Sequence, residues 1–157
     1  MRQRQLCSIA ALLVTFFAHS ATVTLAQQPV DPVVNSLHEK VKLFFERVSS
    51  GSPRTAYQEL LKSGPLASRE DIESVERETA RIEELYGAYR GFDPVYTKRV
   101  GSDLIFVKYL YKCSRFPVLW HVTFYRTPAS GELGPDTWQV VSIRFDTDLE
   151  LLTLLKD

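Results

Sequence analysis

Few residues in this chain are equipped for chemistry. It holds three histidines and two cysteines, and His19 and Cys7 fall in an N-terminal stretch that reads as a leader. That leaves His38, His121 and Cys113. One cysteine with two histidines does not make a Cys/His zinc set, and no residue is assigned to a metal or a cofactor. The spacings of a nucleophile elbow, a phosphate-cradling glycine loop and a His-Glu-x-x-His helix are all absent from the sequence. His121 has the right side chain for a general acid or base, and serves equally as an interface histidine bonded to Ser142 or Thr123. His38 borders an apolar helical stripe and reads as a partly exposed packing residue. Cys113 stands beside Lys112 and Arg115, which would lower a thiol pKa, or it is a buried inert thiol. Five tyrosines, at 57, 86, 89, 109 and 111, have the capacity to turn hydroxyls into a shared cavity.

Composition narrows the classes. The 157 residues are 45% hydrophobic, which excludes a wholly disordered chain. Nineteen basic and nineteen acidic side chains cancel, so the basic excess of a general nucleic-acid binder is missing. Residues 1–26 have the layout of a secretory signal peptide. Arg2 and Arg4 supply the positive end, Leu6 to Ala18 the apolar run, and Thr24-Leu25-Ala26 the small residues before cleavage at Gln27. The apolar run is shorter than the roughly 20 residues that span a bilayer, so no stable membrane span is expected after cleavage; retention as an anchor is the alternative. Residues 27–157 then form a single domain with 17 basic and 19 acidic residues and one cysteine, hence no internal disulfide. The expected location is periplasmic or secreted. A bacterial source is expected from the 12 arginines against 7 lysines and the lack of an Asn-x-Ser/Thr acceptor.

The elements that must position these side chains follow from periodicity. Asp31-Pro32 is a cap followed by proline, and Val34, Leu37, Val41, Phe44 and Val48 recur at helical spacing until Ser49-Ser50-Gly51. Ser52-Pro53 opens a second helix with Ala56, Tyr57, Leu60 and Leu61, closed by Gly64-Pro65. Ser68 and Asp71 resemble a capping box, and Ile72, Val75, Thr79, Ile82, Tyr86 and Tyr89 predict one third helix with a solvated glutamate-rich face. After Gly91 the period changes to that of strands. Strands are expected over 95–100, 103–112, 118–127 and 137–145, with a loop over 128–136 and an apolar tail at 149–155 that docks on the body. The whole is an α+β domain, three helices on a four-stranded antiparallel sheet.

This order resembles the nuclear-transport-factor-2-like superfamily, also called SnoaL-like or ketosteroid-isomerase-like. The resemblance rests on Val41-Lys42-Leu43-Phe44-Phe45, on Ala56 to Pro65, on Thr123-Phe124-Tyr125 and on Trp138-Gln139-Val140-Val141. It covers roughly residues 31–147 and is one of pattern. It implies a cone in which helices pack on a curved sheet, a pocket inside, and an outer sheet face that mediates dimerisation. In such a cone the wall would be Tyr57, Tyr86, Tyr89, Tyr109 and Trp120, binding a small apolar ligand. An isomerase- or dehydratase-type activity would need a carboxylate or histidine beside a proton donor such as a tyrosine. Asp93 and His121 are the candidates, although Asp93 next to Pro94 also reads as a turn residue. No acid falls on the strand positions expected inside, a departure from the isomerase pattern. A non-enzymatic exported binding domain is therefore the leading expectation, with an accessory subunit of a cell-envelope assembly as a third.

A two-residue Gly101-Ser102 turn would place Val100 opposite Asp103, Lys98 opposite Ile105 and Tyr96 opposite Val107. The helix-facing set would then be Ile105, Val107, Tyr109, Trp120, Val122, Phe124, Val141, Ile143 and Phe145. The outer set would include Val95, Thr97, Arg99, Phe106, Lys108, His121, Tyr125, Trp138 and Arg144, mixing large apolar groups with cations and no acid. Phe106, Lys108, His121, Tyr125, Trp138 and Arg144 are the expected homodimer interface. The alternatives are cover by the 149–155 tail, with Asp146, Asp148 and Glu150 near the cations, or a ligand or acidic partner.

Overall fold

The computed structural model describes residues 31–62, 64–67, 70–127 and 138–152. The leader, the capping-box Ser68, the 128–136 loop and the last residues of the apolar tail lie outside these. Helix α1 runs Pro32–Ser49, α2 Pro53–Leu61, α3 Glu70–Ala80 and α4 Ile82–Tyr86. Strands β1 (Tyr89–Val100), β2 (Leu104–Cys113), β3 (Val118–Arg126) and β4 (Trp138–Asp146) follow in one antiparallel sheet of order β1-β2-β3-β4. A 3-10 turn, Leu149–Leu152, comes after β4. The α+β class, with helices preceding a four-stranded antiparallel sheet, is as the periodicity predicts. None of the described helices is long and apolar enough to cross a membrane.

Local chemistry accounts for most boundaries. The Asp31 carboxylate accepts a hydrogen bond from the Val33 amide at 2.9 Å, and Pro32 occupies a position whose amide would have no helical partner. Ser52 stands at the α2 cap without a side-chain cap bond; its carbonyl accepts from Ala56 N–H at 3.0 Å. The predicted third helix is instead two. It breaks at Arg81 (φ −96°, ψ −2°), and α4 ends at Gly87, where φ is +93°. Tyr89, expected on the helix, opens β1 opposite Cys113, so that strand begins six residues earlier than its alternation suggests.

The sheet register differs from expectation at both ends. The β1–β2 turn has three residues, Gly101, Ser102 and Asp103, so Val100 pairs with Leu104 and Arg99 with Ile105. Asp103 is held in the turn by Arg126, distant in sequence, and by the adjacent Ser102. Its carboxylate accepts from Arg126 Nε at 2.8 Å and from the Ser102 hydroxyl at 2.8 Å, and its carbonyl accepts from the Arg126 amide. The one-residue slip exchanges the faces of β1. Thr97 and Arg99 face the helices, where Thr97 Oγ1 lies 3.4 Å from His38 Nε2 and Arg99 pairs with Asp31 at 3.0 Å. Tyr96 and Lys98 take the outer face, opposite Lys108 and Phe106.

A register shift at β4 corrects a second assignment. Phe124 pairs with Val140 and Thr123 with Ser142, leaving Val141 as an extra residue. Trp138, expected at an outer interface, therefore joins the helix side and is 4% exposed. The Arg99 and Arg126 guanidiniums sit 5.6 and 5.9 Å from its ring centroid. In β2 and β3 the alternation holds: Ile105, Val107, Tyr109, Tyr111, Trp120, Val122 and Phe124 are all buried. They meet Leu37, Val41, Phe44, Phe45 and Val48 of α1 in one core. Phe44 and Phe45 each approach Trp120 edge-on, at centroid distances of 5.4 and 5.6 Å. Such aromatic pairs add about 0.5–1.5 kcal/mol beyond the area they bury.

Candidate functional site

A cavity of about 460 Å3 opens between α1, α2 and β4. Helical spacing creates one wall: Lys40, Leu43, Phe44 and Arg47 stand at i, i+3, i+4 and i+7 on α1. Ala56, Glu59 and Leu60 of α2 form the second, and Phe124 with Trp138 to Val140 the third. Gly64 lets the chain after α2 come close to β4, since a Cβ there would lie 3.1 Å from the Val140 carbonyl oxygen. The walls are mixed, apolar residues alternating with Lys40, Arg47, Glu59, Lys62 and Gln139. Leu43 is 49% exposed at the mouth of the cleft. The rim carries Lys40, Arg47 and Lys62. Arg47 is neutralised across the helix pair by Glu59 at 2.6 Å.

Of the five aromatics expected to form one pocket wall, none borders this cavity. Trp120 is wholly buried, and its indole Nε1 has no hydrogen-bond partner among the described residues. Tyr57 is buried with its hydroxyl 3.0 Å from Thr79 Oγ1; burial pushes its pKa well above the ordinary phenol value. Tyr109 is buried with its hydroxyl 2.7 Å from His38 Nδ1, again with the pKa raised by burial. Tyr86 is half-buried against Phe116. Tyr89 stacks on Tyr111 at 4.6 Å, and both border a second, smaller cavity of about 160 Å3 by Val48, Thr79 and Ile82. Phe44 and Phe45 of α1 pack edge-on among these rings, against Tyr57, Tyr109 and Trp120.

The candidate acid–base groups lie away from both cavities. Asp93 is on the outer sheet face, exposed and ion-paired with Lys112 at 3.0 Å. His121 also faces outward, between Lys108 and Arg144 on the neighbouring strands, with Nε2 3.5 Å from Asp146 Oδ2 and no hydrogen bond at that nitrogen. Burial first, then the two cations, hold its imidazole below the ordinary value, and Asp146 opposes them. So the outer face does carry acids, Asp93 and Asp146, contrary to expectation. Cys113 is buried, and burial followed by Glu83 raises its thiol pKa. Lys112 does not lower it, because adjacent strand residues point to opposite faces.

Of the expected interface, Phe106 and Tyr125 are 37% and 40% exposed, Lys108 is half-buried and Arg144 exposed. Trp138 is the member that belongs elsewhere. Leu119, also of outward parity, is fully buried yet apart from the main core, next to the strand end from which the Leu149–Leu152 turn departs. None of the cleft residues Lys40, Leu43, Arg47, Glu59 and Lys62 is among the binding or interface residues the sequence suggests. The available signal was the mixed apolar and basic face of α1 opposite an equally mixed face of α2. No group of three or more potential metal ligands converges among the described residues. No protein-family model, curated protein or solved structure matches this chain.

Proposed function

We propose that the chain is an exported, non-enzymatic binding domain of the nuclear-transport-factor-2-like type, which takes a small apolar ligand in the cleft between α1, α2 and β4. The observation that carries this reading is the cleft itself. Its volume of about 460 Å3 lies within the range of small-molecule sites, and its lining sets Leu43 and Leu60 among Lys40, Arg47, Glu59, Lys62 and Gln139. Export is supported by the leader-like residues 1–26, and the fold type by the helix order and the sheet meander.

The test uses the neutral fluorophore N-phenyl-1-naphthylamine, which brightens in apolar surroundings. Wild-type protein should bind it saturably, and Leu43→Glu, on an exposed position of the wall, should weaken binding by about tenfold or more. Equal binding by the two proteins, with unfolding transitions unchanged, removes the cleft from consideration. A second reading, a homodimer through the outer sheet face, is favoured by the adjacent exposed Val100, Phe106 and Tyr125.

A further inference from the structure

We infer that the ligand of this cleft is amphipathic, an apolar body with one anionic head, and that Lys40 and Lys62 receive the head. The inference rests on the cleft reading above and adds the charge of the ligand to it. Three cations border the cleft, and they are not equivalent. Arg47 already holds Glu59 at 2.6 Å, so its charge is spent within the helix pair. Lys42, two positions from Lys40 and exposed on α1, pairs with Glu39 at 3.5 Å and does not border the cleft. Lys40 and Lys62 border it, and neither has an ion pair or hydrogen bond among the described residues. Glu59 is the one acid on the lining, and it is engaged.

Two uncompensated ammonium groups beside Leu43 and Leu60 make a site with direction. The body of a ligand would lie on Leu43 and Leu60, and its anionic end would reach the lysine rim. A cation there would meet like charge, and a neutral ligand would leave both lysines without a partner. Lysine is a flexible point charge without the fork geometry of arginine, which suits a head held at the rim and still partly hydrated.

Octanoate and octanol separate the claims, read by displacement of N-phenyl-1-naphthylamine at low ionic strength. Octanoate should bind about threefold to tenfold more tightly than octanol, the scale of one or two partly solvated ion pairs. The advantage should shrink as salt is added, because the lysines are near solvent. In Lys40→Gln/Lys62→Gln the two ligands should bind alike, with octanol affinity as in wild type, which also shows that the variant is folded. Equal binding of both ligands to wild type overturns the charge inference and leaves the cleft reading standing. An octanoate advantage that persists in the double variant overturns the assignment to these lysines. Displacement by neither ligand overturns the cleft reading together with the inference.

Discussion

His121 shows what a single side chain reveals about its surroundings. It occupies the middle of a row that crosses the sheet, Tyr96, Lys108, His121 and Arg144 being successive cross-strand neighbours. Burial and two flanking cations disfavour its protonated form, and one carboxylate 3.5 Å away does not reverse the balance. The sign of the pH effect follows. A histidine whose folded pKa lies below its unfolded value near 6.5 binds protons more readily in the unfolded chain, so its contribution to stability is present above that pH and is lost as the pH falls below it. The difference in unfolding free energy between wild type and His121→Gln should therefore shrink from about pH 7.5 to about pH 5 in urea titrations. A difference that stays constant would show that His121 titrates alike in both states. The sequence did flag this residue, but its partner was expected to be a hydroxyl of Ser142 or Thr123. The Asp146 contact depends on how β4 pairs with β3, which one residue type cannot announce.

At the scale of elements, what was legible and what was not divide along physical lines. The faces of β2 and β3 could be read because apolar residues alternate strictly there and burial enforces the alternation. Those of β1 and β4 could not, because each depends on a turn length or bulge fixed by contacts far along the chain. Arg126 holds Asp103 in the turn, and an extra Val141 reverses the phase ahead of Trp138. The cleft inherits this difficulty, since Trp138 enters it only after that reversal. The predicted long helix stops short of Tyr89 for a local reason that the apolar period concealed. Gly87 combines φ +93° with ψ 174°, and a Cβ there would lie 2.2 Å from Ser114 Oγ and 3.1 Å from the Arg115 amide nitrogen. Gly101 also has positive φ, at +61°, but nothing stands within 4 Å of a Cβ built on it. Gly101→Ala should thus cost only the left-handed backbone penalty, about 1–2 kcal/mol. Gly87→Ala adds a collision with the β2–β3 connection and should cost clearly more, measured as the shift in urea midpoint. Equal shifts would mean that the Ser114–Arg115 segment yields without cost.

For the whole molecule, the outer sheet face divides into two halves. Near the β1–β2 turn, Val100, Phe106 and Tyr125 are exposed around Leu104. One step along the strands lies the row of Lys108, His121 and Arg144, and beyond it Asp93 and Asp146. A homodimer that buries Val100, Phe106 and Tyr125 would leave the cationic row, and Lys98 on the edge strand beside Phe106, toward the rim. There like charges from the two copies would repel through water. A stable contact needs about 800 Å2 from each copy, so the apolar half must be the centre and the rows its margin. Two consequences can be read by sedimentation. The dimer fraction should rise with salt, since screening relieves the rim repulsion and leaves the apolar contact intact. Phe106→Lys, which puts a charge at the centre of the contact, should sediment as a monomer at every salt concentration. A wild-type chain that sediments as a monomer at low and high salt alike would leave this face to some other occupant. A dimer undiminished by Phe106→Lys would move the contact to another surface of the molecule.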